Sequence, residues 1–285
     1  MDAPPVLAGF VDLHMHSTAS DGSRAPADVV RAAKAAGLVA IALTDHDSVA
    51  GLAEAQAAGL ELGVRIVNGV ELSAVEGDAE THLLGLHLRD ALVIERELGG
   101  LRDMRERRGQ QIVDKLVALG VQVTFDDVLA QAGGGAVGRP HVARALVADG
   151  WATDVRDAFD RYLGAGRPAY VAKDQLGMAD AIAMIHAAGG LAVLAHPGVA
   201  GTRERLAALA ALGMDGVEVR HPGHSPGDTT RLNTLALQLG LVVSGGSDWH
   251  GAADGPRTIG MMHVPEEWLA RQDAVLAGIA RTPVV

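Results

Sequence analysis

Cysteine is absent from this chain of 285 residues, and its absence limits the available chemistry. Without thiols the chain forms no disulfides and no thiolate metal sites, so a metal ion must be held by nitrogen and oxygen ligands. The absence of disulfides is compatible with a reducing cytoplasm.

Aromatic residues are scarce, at 3% of the chain, although hydrophobic residues together make up 48%. The apolar content is therefore mostly Ala, Leu and Val, which is typical of many short helices packed on a buried sheet. A chain of this length is sufficient for one large α/β barrel, or for a smaller core with an inserted domain.

Basic residues are outnumbered by acidic ones, 24 to 35, which gives a net charge of −11. Binding of long nucleic acid requires a basic surface that neutralises phosphates, so this charge argues against it and leaves a small phosphorylated ligand possible. No apolar run approaches the roughly 18 residues of a membrane span, and MDAPPVLAG lacks the basic and apolar regions of a signal peptide. We therefore expect a soluble cytoplasmic protein that has no membrane association and no evident protein partner.

Apolar strand-like runs alternate with helical patterns along most of the chain, and about seven such strands end in polar residues. In α/β barrels the active site collects at the carboxyl ends of the strands. We expect two barrel segments, 1–95 and 173–285, separated by a helical insertion, 96–172, that folds over the barrel as a substrate cap. The charged run RDMRERR within this insertion is expected to form a solvated helix face.

The first strand ends in a polar stretch, FVDLHMHSTASDG. Side chains alternate faces along a strand, so Asp12, His14 and His16 project together. Two neighbouring imidazoles suit a metal ion such as zinc, manganese or iron. An isolated His-x-His is equally compatible with polar residues on a solvated face. The choice between metal binding and a solvated face therefore depends on other parts of the chain.

The connection between Glu71 and His82 spans only about ten residues. A parallel crossover needs a dozen or more, so the fourth strand should return antiparallel to the third. We expect this hairpin to bring His82, at the start of one strand, beside Glu71, at the end of the other. Both would join the rim that already receives His14, His16 and His46.

Nine polar residues fall at the strand ends. Each alone could be a capping or turn residue, but their number exceeds the needs of one ion and indicates two or three metals, with a carboxylate such as Glu71 as the bridge. The nine residues are His14, His16, Asp21, His46, Glu71, His82, His196, Asp248 and His250.

Six motifs occur in a characteristic order: DLHMHSTASDG, TDHD, GVELS, THLLG, AHPG and GSDWH. In this the chain resembles the PHP (polymerase and histidinol phosphatase) family of the amidohydrolase superfamily. The resemblance implies a distorted seven-stranded, TIM-like β/α barrel with a trinuclear centre, whose ligands are the nine residues above. It also implies hydrolysis of phosphoric esters by a metal-bridging hydroxide. Two or three divalent ions are expected, with Mn²⁺ favoured and Zn²⁺, Fe²⁺ or Mg²⁺ as alternatives.

Three further segments, GRPHVARALV, RYLGAGRPAYV and GVEVRHPGHS, resemble the branch that acts on 3′,5′-nucleoside bisphosphates and on short RNA 5′ ends. One departure is Trp249, which replaces the Phe expected in the SDFH motif and bears on substrate fit. The resemblance implies a small nucleotide as substrate. It also implies a set of phosphate-binding residues: Arg139, His141, Lys173, His221 and His224.

His221 and His224 are also candidates for protonating the departing alcohol, with a metal-bound water as the alternative. Arg139 has a purely structural alternative, as an anchor of the insertion. His87, His186 and His263 match no motif and are expected to be structural or surface residues.

Three rival functions share these motifs or this ligand set. Histidinol-phosphate phosphatase would use the same metal chemistry with a different substrate-facing insertion. A 5′-3′ exonuclease on RNA would require a basic groove, which the net charge of −11 disfavours. A nonenzymatic metal or nucleotide sensor is the third, but the ligand set shows no missing member.

Overall fold

The computed structural model describes residues 9–77, 79–132, 137–171, 176–252 and 255–278, with the side chains of 101–105 excepted. The chain divides into two compact units. The barrel unit consists of Met1–Glu95 and Leu176–Val285, and the helical unit consists of Arg96–Gln175. None of the described helices combines the length and the apolar character that a membrane span requires.

The described part of the barrel unit contains one eight-stranded sheet, in the order β7-β6-β5-β4-β3-β2-β1-β8. Beyond the paired strands, the backbone N–H groups of Leu13 and His16 donate to the carbonyl oxygens of Gly245 and Trp249, each with 3.0 Å between nitrogen and oxygen. These two hydrogen bonds nearly close the sheet into a barrel. The strands are β1 Phe10–Asp12, β2 Ala40–Leu43, β3 Arg65–Glu76, β4 Ala79–Leu86, β5 Leu191–Leu194, β6 Gly216–Arg220, β7 Val242–Gly245 and β8 Val264–Pro265.

Strand β4 runs antiparallel to both of its neighbours, β3 and β5, whereas β1, β2 and β3 are parallel, as are β5, β6 and β7. The expected hairpin is therefore confirmed, with Ser73 opposite His82 in its register. One detail of that expectation was wrong, because β3 continues to Glu76 and Glu71 lies in its middle. The distorted barrel is confirmed, and a two-residue β8 is added antiparallel to β1.

Helices follow most of the strands, and local sequence signals set several of their ends. Pro26 begins α1, where its missing N–H group has no helical partner to lose. Gly63 and Gly240 end α2 and α9 with φ of 66° and 67°, a left-handed conformation that glycine adopts without strain. The helices are α1 Pro26–Ala35, α2 Leu52–Leu62, α3 Ala91–Ala118, α4 Phe125–Ala132, α5 Arg139–Ala148, α6 Val155–Ala158, α7 Met178–Ala187, α8 Arg203–Ala211, α9 Pro226–Leu239 and α10 Glu266–Leu276.

Apolar side chains from the strands fill the barrel unit. Leu13, Leu84 and Val193 are fully buried in one cluster, and Ile41 and Val30 belong to a second cluster that joins the sheet to its helices. Each fully buried side chain of this kind contributes about 1.5–3 kcal/mol relative to exposure. The polar strand ends therefore project from a closely packed framework.

The helical unit has its own core, formed by residues such as Leu116, Val142 and Leu146. In the charged run, Glu106 and Arg107 are exposed as expected. The expectation was wrong for Arg108, which is only 7% exposed. Its Nε and Nη2 atoms donate to the Val171 carbonyl at 3.1 and 2.9 Å, so backbone hydrogen bonding compensates its burial.

Candidate metal centre

The nine predicted ligands converge at one end of the barrel. Residues that follow parallel strands lie at the same edge of the sheet. His14, His16 and Asp21 follow β1, His46 follows β2, His196 follows β5, and Asp248 and His250 follow β7. The β3–β4 hairpin adds two more side chains within its strands, Glu71 and His82.

Glu71 lies at the centre of the cluster and is 1% exposed. Its two carboxylate oxygens face five imidazole nitrogens from four different parts of the barrel. Oε2 lies 3.1 Å from His14 Nε2, 3.2 Å from His16 Nε2 and 3.3 Å from His46 Nδ1, while Oε1 lies 3.0 Å from His82 Nδ1 and 3.1 Å from His196 Nε2. A single carboxylate is thus placed to bridge two groups of histidines.

Two aspartates complete the cluster. Asp248 Oδ1 lies 3.1 Å from His16 Nε2, 3.5 Å from His14 Nε2 and 3.6 Å from His250 Nδ1. Asp21 Oδ1 lies 3.3 Å from His250 Nε2 and 3.8 Å from His16 Nδ1. Asp21 is the most exposed of these acids, with 58% of its side chain accessible.

These donors fit divalent metal ions. Four buried ring nitrogens have no hydrogen-bond partner within the described residues: both nitrogens of His16 and the Nδ1 atoms of His46 and His82. Unpaired buried polar atoms are costly, and neutral imidazoles and carboxylates are ligands that zinc, manganese and iron accept. Three groups have ligand atoms within 4.8 Å of one another: His16, Asp21, His46 and His250; His14, His16, Glu71 and Asp248; and His46, Glu71 and His82.

One side of the cluster is open to solvent. The side chains of His82 and His196 are 27% and 29% exposed, whereas that of His14 is fully buried. Both exposed rings line a cavity of about 380 Å³, whose wall also contains Thr81 and Arg205. A ligand that enters this cavity reaches the predicted metal ligands His82 and His196 directly. A larger cavity, of about 600 Å³, lies in the helical unit and is lined by none of the predicted site residues.

The electrostatic balance of the cluster keeps its acids ionised. Burial raises the pKa of Glu71, but the surrounding histidines, led by His14, outweigh burial and hold that pKa well below its usual range. Burial likewise raises the pKa of Asp248, and close contacts with the His16 and His221 rings outweigh burial and hold that pKa below the ordinary value. In return, the carboxylates around His14 overcome its desolvation and raise its pKa well above 6.5. This reciprocal attraction indicates a site built for positive charge.

Two of the predicted ligands have unusual backbone geometry. His196 has φ of 30° and Asp248 has φ of 50°, in the left-handed region that residues other than glycine rarely adopt. Such strain persists only where the surrounding structure enforces it, and it concentrates at functional sites. The backbone is therefore consistent with a functional role for both residues.

Asp45 holds the turn that carries Asp21. Its carboxylate is 2% exposed and accepts hydrogen bonds from Ser17 N and Ser17 Oγ, both at 2.7 Å, and from Ser20 Oγ at 2.7 Å. The motif TDHD contains Asp45, but nothing in that motif distinguishes the role of Asp45 from that of the predicted ligand His46 beside it.

His221 and His224 lie after β6, and backbone contacts fix their tautomers. Gly223 N donates to His221 Nδ1 at 3.0 Å, so the proton of the neutral ring is on Nε2, which lies 3.2 Å from Asp248 Oδ2. His224 Nδ1 donates to the Val219 carbonyl at 2.9 Å, and its Nε2 accepts from Gly198 N at 3.0 Å. Both nitrogens of His224 are therefore occupied by the backbone.

The other predicted phosphate-binding residues belong to the helical unit. Arg139 lies over the rings of Phe159 and Tyr170, at 5.7 and 5.4 Å, and donates to the Leu163 carbonyl at 3.3 Å. His141 Nδ1 accepts from Gly138 N at 2.9 Å and so caps the start of α5. Lys173 lies outside the described residues.

Three histidines lie apart from the cluster. His87 contacts Gln272 at 2.9 Å, His186 contacts Asp215 at 2.7 Å, and the His263 ring packs edge-on against Phe10 with 5.2 Å between centroids. These contacts agree with the expectation that all three are structural or surface residues.

Sequence reasoning missed two charged residues beside the predicted ligands. Glu218 is fully buried and contacts His14, and Arg257 pairs with Asp248. Glu218 left a signal in the sequence, because it is the only charged residue inside the strand-like run GVEV. Arg257 left none, since it follows the last motif in an irregular segment.

Comparison with known proteins identifies the family. The 3′,5′-nucleoside bisphosphate phosphatase of Chromobacterium violaceum is 38% identical over 257 residues, which cover 88% of this chain and 90% of that protein. The 5′-3′ exoribonuclease of Haemophilus influenzae is 38% identical over 245 residues, covering 84% of this chain and 89% of that protein.

The fold has a close counterpart among solved structures. A crystal structure from Bifidobacterium adolescentis, of a protein to which metal-dependent phosphoesterase activity is attributed, matches with a TM-score of 0.68 and 34% identity. The match covers 96% of this chain and 98% of that chain. The family model for the PHP domain matches residues 12–188. With the convergent histidines around Glu71 and these matches together, the chain belongs to the PHP domain family.

Proposed function

We propose that this protein is a metal-dependent phosphoesterase that hydrolyses phosphomonoesters. The observation that carries the proposal is the position of Glu71, whose carboxylate faces five imidazole nitrogens within 3.3 Å beside a solvent-open cavity. A nonenzymatic sensor would not need ligand rings exposed in a cavity. The phosphatase and exoribonuclease activities named for the two relatives support the same reaction class.

The nine clustered residues would hold two or three divalent ions, with Mn²⁺ favoured. Bound ions of this kind supply an activated water and neutralise charge on the phosphate during in-line displacement. The protein contributes the arrangement of its own groups: Glu71 and Asp248 keep several histidines facing one another, and the barrel holds them rigidly. No protein nucleophile is required.

The hydrogen bonds of His221 and His224 favour positioning over proton transfer. A general acid must carry a proton that it can lose, and His221 would need a second proton on Nδ1, where the Gly223 N–H already points. His224 has no free ring nitrogen. We therefore propose that His221 donates a hydrogen bond within the site, that His224 fixes the loop beside it, and that water protonates the departing alcohol.

The proposed substrate is a 3′,5′-nucleoside bisphosphate that loses its 3′-phosphate, or a short 5′-phosphorylated oligonucleotide. Both named relatives act on phosphorylated nucleotides or RNA, and the net charge of −11 favours a small substrate over long nucleic acid. Within this proposal Arg139, His141 and Lys173 of the helical unit bind the second phosphate. Arg139 is suited to this role because a guanidinium forms paired hydrogen bonds with phosphate oxygens.

Phosphate release from the Mn²⁺-loaded protein tests the proposal. The substrates to compare are nucleoside 3′,5′-bisphosphates, mononucleotides, histidinol phosphate and short 5′-phosphorylated RNA. We expect the highest kcat/KM on a bisphosphate. Preference for RNA would favour the exonuclease, preference for histidinol phosphate would replace the nucleotide assignment, and no turnover of any ester by a metal-loaded protein would refute the enzyme assignment.

A further inference from the structure

Glu218 is a carboxylate that is fully removed from solvent. It lies in β6 between Val217 and Val219, and all three residues are 0% exposed. Removing a carboxylate from water costs several kcal/mol unless other groups compensate it. An acid at this position therefore requires specific partners.

Its first partner is a predicted metal ligand. His14 Nδ1 lies 3.1 Å from Glu218 Oε1, and an ionised carboxylate only accepts hydrogen bonds, so this nitrogen carries the ring proton. With a metal bound, the opposite nitrogen, Nε2, would be the one that offers its lone pair. It points at Glu71 Oε2, 3.1 Å away, and at Asp248 Oδ1, 3.5 Å away, which is the side on which a metal would bind.

Its second partner is the backbone of another predicted ligand. Glu218 Oε2 accepts from the His196 backbone N–H at 2.8 Å. His196 has the unusual φ of 30°, so this hydrogen bond supports a conformation that would otherwise be strained. One buried side chain thus contacts two histidines that come from separate strands, and each of its oxygens serves one of them.

We propose that Glu218 is a positioning residue of the metal centre, which fixes the tautomer of His14 and the backbone of His196 so that both rings present a lone pair to the metal. The inference rests on the proposed function for the presence of the metal. Carboxylates behind metal-binding histidines orient the ring and increase its basicity, and their loss weakens metal affinity about 10- to 100-fold.

Glu218→Gln is the test, because it keeps the shape of the side chain. An amide has one acceptor and one donor end, so it cannot accept from both the His14 ring and the His196 N–H. We expect Mn²⁺ affinity, measured by competition with a chelator, to fall about 10- to 100-fold. Co²⁺ bound in place of Mn²⁺ should show an altered visible spectrum. Glu204→Gln, on the exposed face of α8, removes the same charge and should keep both properties unchanged.

A measurement on the unmutated protein covers the case in which the variant fails to fold. In Zn²⁺-loaded protein labelled with [¹⁵N]histidine, long-range ¹H–¹⁵N spectra should show a proton on His14 Nδ1 and none on Nε2.

Two results would overturn the proposal: unchanged metal affinity and Co²⁺ spectrum in a folded Glu218→Gln variant, or a His14 proton on Nε2 and metal on Nδ1 in the Zn²⁺-loaded unmutated protein. Failure of the unmutated protein to bind any metal would instead refute the proposed function, and that result is distinguishable because it does not depend on Glu218.

Discussion

Glu71→Gln is the substitution that tests the metal centre most directly. The change replaces one carboxylate oxygen by an amide nitrogen, so at least two of the five imidazoles no longer face a negatively charged oxygen. In the metal-bound protein the same change would remove the negative charge expected between neighbouring cations, which would then be poorly screened from one another.

The expected magnitude follows from burial. Glu71 is 1% exposed, so water cannot replace the lost negative charge. Removing one partner from a buried set of charges costs about 3–5 kcal/mol. At about 1.4 kcal/mol per factor of ten, metal affinity should fall by roughly two to three and a half orders of magnitude. Activity should fall with metal content.

Metal content by mass spectrometry, affinity by chelator competition and kcat/KM on a nucleoside bisphosphate together provide the assay. Glu61→Gln is the matched control, because it removes one acidic charge from an exposed position on α2. We expect that control to match the unmutated protein. A Glu71→Gln variant that retains metal with undiminished affinity would refute the bridging role, whatever its activity.

Three further predictions concern stability and specificity. A chelator should lower the melting temperature by roughly 5–10 °C, because metal at 100 times its Kd contributes about 2.7 kcal/mol and each kcal/mol shifts Tm by about 2–4 °C; an unchanged melting curve after verified metal loss would contradict this. Arg139→Ala should lower kcat/KM on a bisphosphate roughly ten- to a hundredfold or somewhat more, which corresponds to about 1.5–3 kcal/mol of lost transition-state stabilisation. The loss of kcat/KM on p-nitrophenyl phosphate should be much smaller. Equal losses on both would mean that Arg139 serves the reacting phosphate or, through its contacts with Phe159 and Tyr170, the fold. Burial lowers the pKa of His87 in the native state, so the folded protein resists protonation of this ring. The stability contributed by neutral His87 is complete above the unfolded pKa of about 6.5 and is lost as pH falls through the lower native pKa. The difference in unfolding free energy between the unmutated protein and His87→Asn should therefore decrease between pH 7.5 and pH 5.5. Asn is chosen because it tolerates the φ of 60° at this position, and His263→Asn, at a φ of 47°, is the control. A difference that stays constant with pH would disprove this prediction.

The sequence by itself determined the barrel, its hairpin and the residues that meet at its rim. These features depend on local signals: apolar runs set the strands, Pro26 and the turn glycines set helix ends, and a connection of about ten residues forced β4 to run antiparallel. Because parallel strands deliver their carboxyl ends to one edge, polar residues after successive strands had to converge. The family was indicated separately, by the resemblance of six ordered motifs.

Only the tertiary structure decided which buried charged side chains contact the predicted ligands. Glu218 and His14 are 204 positions apart, and no local pattern couples them; their contact depends on how the sheet curves and closes. Glu71 was expected at the end of β3, but the strand extends past it to Glu76, so this residue lies in the middle of the strand. Arg108 became buried because the Val171 carbonyl, 63 positions away, accepts its hydrogen bonds. Periodicity and turn residues report on near neighbours, whereas the partners of a buried charge are set by packing between distant segments.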